Sequence, residues 1–205
     1  GLNDDTVKCG GKNEYGRLGY GDTNNRGDGA NEMGDNLPVV DLGTGKIAKQ
    51  ISAGYKHTCA ILNDDTVKCW GYAAFGQLGY GDTSWRGDGA DEMGDNLPVV
   101  DLGTGKTAKK ITTGQYHTCA ILNDDTVKCW GDNGSGQLGY GDKNKRGDGA
   151  GEMGDNLPVV DLGTGKTARN IRAGGSVTCA VLNDDTLKCW GYGGSGNLGY
   201  GDTND

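Results

Sequence analysis

The chain has 205 residues, of which 41 are glycine, and a formal net charge of −8. This acidic balance argues against a nucleic-acid partner, because nucleic acids favour basic patches. No apolar run is long enough for a membrane-spanning helix, so we expect no membrane insertion in this stretch. Glycine at roughly three times its usual frequency can accompany disorder. Here, however, Trp70, Trp130 and Trp190 recur every sixty residues, and a fixed period of this size is typical of a propeller, solenoid or array.

In chain order, the first element is a clipped β-hairpin near residues 2–10, LNDDTVKCG. A Gly-rich loop and a long polar loop follow each hairpin, and the polar loops are predicted near residues 21–36, 81–96 and 141–156. The segment 97–102 (LPVVDL) reads as a short strand, with Pro98 at its start or at a sheet edge. The segment 108–114 (AKKITTG) is predicted as another strand with Ile111 buried.

Three complete hairpins are predicted near residues 58–71, 118–131 and 178–191. Each has an Asn-Asp-Asp turn between two runs rich in Val, Ile, Thr and Trp, which is strong turn chemistry. If Asp64 is the turn centre, Cys59 faces Cys69, and cross-strand Cβ atoms lie close to disulfide range. The sequence therefore predicts three disulfides, which are Cys59–Cys69, Cys119–Cys129 and Cys179–Cys189.

Seven cysteines, six of them in such pairs, favour an oxidising compartment, so we expect an extracellular or cell-surface location. Cys9 has no partner at the same spacing and is predicted to be unpaired or paired externally. A zinc site is disfavoured because there is no Cys-x-x-Cys motif and only two histidines are present. We expect no metal and no cofactor.

These elements give four short strands in every sixty residues and no convincing helix, a pattern typical of four-stranded antiparallel propeller blades. The run AGYKHTCAILNDDTVKCWG, followed by GQLGYGD, resembles the RCC1-like repeat family (regulator of chromosome condensation type), in a secreted, disulfide-containing form. The resemblance implies an all-β fold of seven-bladed propellers. At about sixty residues per blade the chain would form about half a ring. Residues 1–205 would then be one repeat domain.

The chain departs from the family pattern in two places. Asp64-Asp65 stands where the family usually has Asp-Gly, and Val177 replaces the histidine of His57 and His117. The family includes a secreted inhibitor, so the fold can serve as an extracellular binding scaffold. Disulfides argue against the nuclear exchange activity that another member has. A photoreceptor member needs clustered tryptophans where this chain has Tyr55, Gln115 and Gly175.

No catalytic set recurs in the repeats, so we expect no enzyme. His57 and His117 each lie beside a threonine at a strand start, where a structural hydrogen bond is favoured over a general-base role. The Arg-Gly-Asp triplets that begin at Arg26, Arg86 and Arg146 are interpreted as turns copied with the repeat rather than adhesion motifs. A calcium loop is disfavoured on spacing. Its candidate ligands are Asp82, Asp88, Asp91, Glu92 and Asp95.

Loop aromatics give the best indication of a binding site. Tyr72, Phe75, Trp85 and Tyr116 all fall in loops, and the repeats differ most in the loops that hold them. If the strands of a blade alternate in direction, both variable connections emerge on one rim, opposite the Asn-Asp-Asp turns. We therefore predict a binding rim formed by Tyr55, Tyr72, Phe75 and Tyr116. The alternative is that these rings pack between blades.

Two functions remain open. The first is an extracellular, non-enzymatic binding or adhesion module for a protein or glycan ligand. The second is a structural repeat protein that self-associates through open blade edges into a surface sheath or filament. Repeated loops would favour the polymer, and varied loops favour the binding module.

Overall fold

Three antiparallel sheets form the framework of the chain. The computed structural model describes residues 6–204, and within them each sheet has three strands in sequential order. The strands are β1 (Ala48–Ala53), β2 (His57–Leu62), β3 (Val67–Gly71), β4 (Ala108–Thr113), β5 (His117–Leu122), β6 (Val127–Gly131), β7 (Ala168–Gly174), β8 (Val177–Leu182) and β9 (Leu187–Gly191). We call β1–β3, β4–β6 and β7–β9 blades 1, 2 and 3. Short 3₁₀ turns lie at Glu14–Gly16, Gly34–Asn36, Gly94–Asn96 and Gly154–Asn156.

The predicted hairpin register is present in all three blades. In blade 1, Ile61 pairs with Val67 and Cys59 pairs with Cys69 across β2 and β3. At the turn, Asp65 adopts a left-handed φ of 63°, a conformation that Asp and Asn tolerate better than most side chains. The Asp-Asp sequence therefore makes the turn without a glycine.

The structure contains the three predicted disulfides, each between residues ten apart in sequence. Cys9 is a free, half-buried thiol, and burial raises its pKa. The hairpin predicted near residues 2–10 begins outside the described residues. Its described part, residues 6–10, contains no strand. Val7 there accepts a hydrogen bond from the Val40 amide.

The prediction of four strands per blade was wrong, because 97–102 forms no strand. Separate segments pair the outer edge of β3. In the middle of the strand the Tyr80 hydroxyl accepts from the Cys69 amide and donates to the Cys69 carbonyl, both at 2.9 Å. Gly71 makes an isolated bridge with Arg86, and Val100 donates its amide to the carbonyl of Val67 at 2.8 Å. Pro98 supplies no amide, so no ladder extends from that single bond. The segment predicted near 108–114 is β4, with Ile111 buried as expected.

The core lies between neighbouring blades. Trp130 is fully buried and packs in one cluster with residues of both blade 1 and blade 2. Its indole Nε1 donates to the Gln77 carbonyl at 3.0 Å, and the Thr118 hydroxyl donates to that same oxygen at 2.8 Å. Trp190 and Thr178 bond the Gln137 carbonyl in the same way at the next junction. Each blade is thus held to its neighbour by a repeated polar connection inside an apolar core.

The first strands of neighbouring blades also contact each other. Gln50 Nε2 on β1 donates to the Ile111 carbonyl on β4 at 2.8 Å, and the hydroxyls of Ser52 and Thr113 are hydrogen-bonded at 2.8 Å. These contacts fix the relative position of the loops that follow each first strand. No helix in residues 6–204 is long and apolar enough to cross a membrane.

Candidate binding surface

Two connections of each blade emerge on the same side, as the sequence predicts. The β1–β2 connection carries Tyr55 and Lys56, and the segment after β3 begins at Tyr72. The Tyr72 amide donates to the Lys56 carbonyl at 2.9 Å, which ties the two connections together. The β2–β3 turn at 63–66 lies at the other end of the same hairpin. The variable loops therefore share one rim, opposite the nearly invariant turns.

The four predicted rim aromatics contact one another on this side. The ring centroid of Tyr116 lies 4.9 Å from Phe75, 6.0 Å from Tyr72 and 6.0 Å from Tyr55. Tyr72 and Phe75 are 6.2 Å apart. These distances lie within the range of favourable aromatic pairs. The rings come from blade 1 and from the first loop of blade 2, so the cluster spans the junction between them.

Two further rings, which were not among the predicted rim residues, extend the cluster. The Tyr15 centroid lies 4.7 Å from Tyr72 and 4.6 Å from Trp85. Tyr15 adopts a left-handed φ of 66°, a strained conformation for a bulky residue that is enriched at functional sites. The alignment of GKNEYG with GYAAFG, which puts Tyr15 at the position of Phe75, was the available signal. We call Tyr15, Tyr55, Tyr72, Phe75, Trp85 and Tyr116 the aromatic surface.

The aromatic surface is accessible to solvent. Tyr55 is 57% exposed and Trp85 is 41% exposed. Tyr15, Tyr72, Phe75 and Tyr116 are half-buried, each with part of its ring covered by its neighbours. Large aromatic side chains that remain open in loops are typical anchors for a partner.

Two ammonium groups lie on these rings. Lys56 Nζ is 4.6 Å from the Tyr15 centroid and 5.3 Å from that of Tyr72. Lys145 Nζ is 4.9 Å from the Phe75 centroid. Cations over aromatic faces within about 6 Å are attracted by the ring quadrupole. The surface is therefore apolar with local positive charge, on a chain whose net charge is negative.

The junction between blades 2 and 3 provides an internal comparison. There the positions equivalent to Tyr55, Tyr72, Phe75 and Tyr116 are Gln115, Asp132, Ser135 and Ser176. A backbone bond between the loops forms at both junctions, with its acceptor shifted by one residue. The Tyr55 amide donates to the Gly114 carbonyl at 3.3 Å, and the Gln115 amide donates to the Gly175 carbonyl at 2.8 Å. The buried bonds of Trp190 and Thr178 to the Gln137 carbonyl repeat those of the first junction at equivalent positions, so the core between the blades forms when the rings are absent.

The two histidines lie away from this surface, inside the blade junctions. His57 Nε2 is 2.9 Å from Thr118 Oγ1, and His117 Nε2 is 2.8 Å from Thr178 Oγ1. Each bond reaches the threonine of the next blade. Both rings are fully buried. Burial lowers the pKa of His57 to about 3 and that of His117 to about 4. Such neutral, buried rings act as structural hydrogen-bond donors.

The Arg-Gly-Asp triplets have structural roles in all three copies. Arg86 forms an ion pair with Asp82 at 2.8 Å and donates to the Ser84 carbonyl. Amides of residues 87–89 donate to one oxygen of Glu92, at 2.8 to 3.1 Å. Asp82 and Glu92, two of the candidate calcium ligands, are thus committed to internal contacts. In residues 6–204 no group of three acidic, His or Cys side chains is arranged to hold a metal ion.

Comparison with known proteins agrees with the repeat pattern. Two sequence profiles, both described as the regulator of chromosome condensation (RCC1) repeat, match residues 4–61 and residues 48–77 and 108–137. Together they cover about half of the chain. The chain belongs to the RCC1-repeat family. Its similarity to the ultraviolet-B receptor UVR8 of Arabidopsis thaliana is 32% identity over 207 residues, which cover 100% of this chain and 41% of the receptor.

Other RCC1-repeat proteins are also similar. The human E3 ubiquitin-protein ligase HERC2 is 31% identical over 142 residues, which cover 69% of this chain and 3% of the ligase. Yeast RCC1 (Prp20), in a structure bound to Kap60, aligns with a TM-score of 0.67 at 19% identity and covers 98% of this chain and 42% of that one. Human WBSCR16 aligns with a TM-score of 0.66 at 19% identity, over 96% of this chain and 44% of that one. The chain spans less than half the length of each of these relatives, and the structural likeness shows the blade fold.

Proposed function

We propose that this RCC1-repeat chain is an extracellular, non-enzymatic protein-binding module that binds its partner through the aromatic surface. The observation that carries the proposal is the contrast between two successive blade junctions. At the first, six rings converge and remain partly open to solvent. At the second, the buried bonds of Trp190 and Thr178 to the Gln137 carbonyl repeat those of the first junction without them. Rings that blade packing does not require are available for recognition.

The composition of the surface supports a protein partner. Tyrosine, phenylalanine and tryptophan are enriched at the energetic centres of protein interfaces, where they provide large contact areas at low entropic cost. Small polar residues such as Ser135 and Ser176 lie in the neighbouring loops, as at the rims of such interfaces. The yeast RCC1 structure bound to Kap60 shows another RCC1-repeat protein with a protein partner. That support is by analogy of fold.

Three further observations support the remaining parts of the proposal. Three disulfides are typical of an oxidising compartment, which favours an extracellular location. The two histidines, the best general-base candidates in the sequence, are buried in blade junctions and hydrogen-bonded to threonines. The variation of the rim between repeats favours one recognition surface over a polymer of equivalent contacts.

The experiment is a comparative capture from extracellular fluid of the source organism. The baits are the wild-type chain, the triple variant Tyr72→Ala, Phe75→Ala, Tyr116→Ala, and the control Tyr192→Ala. Tyr192 occupies the position of Tyr72 in the last repeat and is 43% exposed, but it lies outside the aromatic surface. We expect a protein that binds the wild type and the control and loses at least roughly tenfold in affinity for the triple variant.

Three results would contradict the proposal. Equal capture by all three baits would place binding elsewhere on the chain. Loss of folding in the triple variant would show that the rings are blade packing. A partner whose binding disappears after enzymatic removal of its glycans would identify a glycan ligand instead of a protein.

A further inference from the structure

Lys56 and Lys145 differ from most lysines of the chain. Most other lysine ammonium groups in residues 6–204 donate to carboxylates or to backbone carbonyls, and Lys110 donates to Asn170 Oδ1 at 3.4 Å. Examples are Lys49 on Asp65, Lys109 on Asp125, and Lys68 on the carbonyls of Leu42 and Gly94. Within residues 6–204, Lys56 and Lys145 have no carboxylate within 4 Å. Lys56 contacts three ring faces and the Tyr15 hydroxyl at 3.4 Å, and Lys145 contacts the ring of Phe75.

These two lysines contact different rings of the aromatic surface. Lys56 contacts Tyr15 and Tyr72, whereas Lys145 contacts Phe75, and the Tyr72 and Phe75 rings are neighbours at 6.2 Å. The surface therefore carries two cations on neighbouring rings.

Carboxylates near the aromatic surface make their short contacts with other groups. Glu14 forms an ion pair with Lys12 at 3.0 Å, and this contact with Lys12 lowers the pKa of Glu14. Asp132, on the loop after β6, accepts a hydrogen bond from Gln137 Nε2 at 2.8 Å. The charge of Glu14 reaches Lys56, and that of Asp148 reaches Lys145, only from beyond the 4 Å of a direct ion pair.

We infer that the partner is a protein segment with apolar side chains that cover the rings and two carboxylates that pair with Lys56 and Lys145. This inference rests on the proposed function of the aromatic surface. A partner that covers the rings would also remove water from both ammonium groups. A buried, unpaired ammonium is strongly unfavourable, so the partner must supply anionic acceptors at those positions.

The ring contacts also prepare the lysines for such a pairing. A flexible lysine loses side-chain entropy when it is held in one geometry. Lys56 already lies against three rings, so part of that loss precedes binding, and preorganisation of this kind raises affinity. Because the chain as a whole carries a net charge of −8, long-range attraction does not select an acidic partner. The preference for an acidic partner must therefore come from its local ion pairs with Lys56 and Lys145.

The experiment uses the whole chain and a phage-displayed library of random dodecapeptides. The library is selected on immobilised wild-type protein, with subtraction on the triple variant Tyr72→Ala, Phe75→Ala, Tyr116→Ala. We expect binders that combine two Asp or Glu residues with apolar or aromatic residues. Synthetic versions of these peptides should lose roughly tenfold in affinity for Lys56→Met and again for Lys145→Met, the scale of a hydrogen bond to a charged group. Lys109→Met, which removes the same charge from a paired lysine on blade 2, should bind normally.

A charge-swap series then identifies the pairs. Replacing the peptide's Glu and Asp by Gln and Asn should weaken binding to the wild type, and it should have no additional effect on the double variant Lys56→Met, Lys145→Met. Ring-dependent binders without acidic residues, insensitive to both lysine variants, would overturn the inference and leave the proposed function intact. If selection gives no binder that depends on the rings, both the inference and the proposed function fail.

Discussion

Replacing both histidines by valine should remove a large part of the acid sensitivity of this fold. The Thr118 hydroxyl donates to the Gln77 carbonyl, so it can only accept from His57. The imidazole must therefore carry its proton on Nε2. His57 Nδ1 is buried with no hydrogen-bond partner, and the same is true of His117 Nδ1. A second proton would place a charge there without an acceptor, which is why burial lowers the pKa of both rings.

The sign of the effect follows from linkage. The folded-state pKa values, about 3 and about 4, lie below the ordinary value of 6.5. Between these limits the unfolded chain binds more protons, so the free energy of unfolding is greatest above pH 6.5 and falls as the pH drops toward 4. The limiting slope is roughly 1.4 kcal/mol per pH unit for each histidine. At pH 4.5 the two together would cost about 5 kcal/mol, a large share of a typical domain's stability.

The assay is denaturant unfolding between pH 8 and pH 4.5 for the wild type and for His57→Val, His117→Val. Valine already occupies this register in blade 3, where Val177 pairs with Gly191. At pH 8 the variant should be less stable by roughly 1–2 kcal/mol per site, because it loses a buried hydrogen bond and some packing. By pH 4.5 the difference should vanish or reverse. The comparison cancels groups common to both proteins, including Asp64, whose hydrogen bond with Lys46 lowers its pKa to about 2.

Two results would contradict this prediction. One is an identical pH dependence in the wild type and the variant. The other is a titration of either imidazole near pH 6.5 in the folded protein. Proton NMR can resolve this directly, because the sequence contains only two histidines.

Three further predictions concern the blades. The double variant Cys119→Ala, Cys129→Ala should have a free energy of unfolding lower by at most about 3 kcal/mol, because the disulfide that it removes closes only a short loop. Unfolding curves that coincide with those of the wild type would contradict this. Trp130→Phe should lower the free energy of unfolding by about 1–2 kcal/mol, because the variant loses the donor to the Gln77 carbonyl while Thr118 still bonds that oxygen. A loss near that of a Trp→Ala change would show a larger packing role. Glu92→Gln should cost about 1 kcal/mol by weakening three charge-assisted bonds to loop amides. Faster hydrogen exchange confined to amides 87–89 would confirm the site of that effect.

Short-range sequence pattern was sufficient to predict the hairpins, but it did not predict the structure at the outer edge of the blades. The Asn-Asp-Asp turn fixes the register of β2 against β3 within a few residues, so the Cys59–Cys69 pair could be predicted. The segment 97–102 has strand composition, but strand formation depends on a partner edge. That edge on β3 is paired by Arg86 and Val100 from two distant segments.

The candidate site was also predictable only in part from short-range sequence pattern. Tyr55, Tyr72, Phe75 and Tyr116 lie in loops whose variation is visible in the repeats. Tyr15 joins them only because the preceding repeat packs against blade 1, where Arg17 donates to the Tyr55 carbonyl at 2.7 Å. The bond between His57 and Thr118 likewise crosses a blade junction. Contacts between repeats depend on the angle between blades, which no short-range pattern contains.

The central claim is that the aromatic surface serves recognition and that blade packing does not require it. The most direct measurement is the free energy of unfolding of a chain whose first rim carries the residues of the next repeat, Tyr55→Gln, Tyr72→Asp, Phe75→Ser and Tyr116→Ser. We predict a cooperative transition and a loss of no more than about 1 kcal/mol per substitution, as expected for exposed and half-exposed sites. A loss of several kcal/mol per ring, or a broad non-cooperative transition, would show that the rings hold the blades together and would contradict the claim.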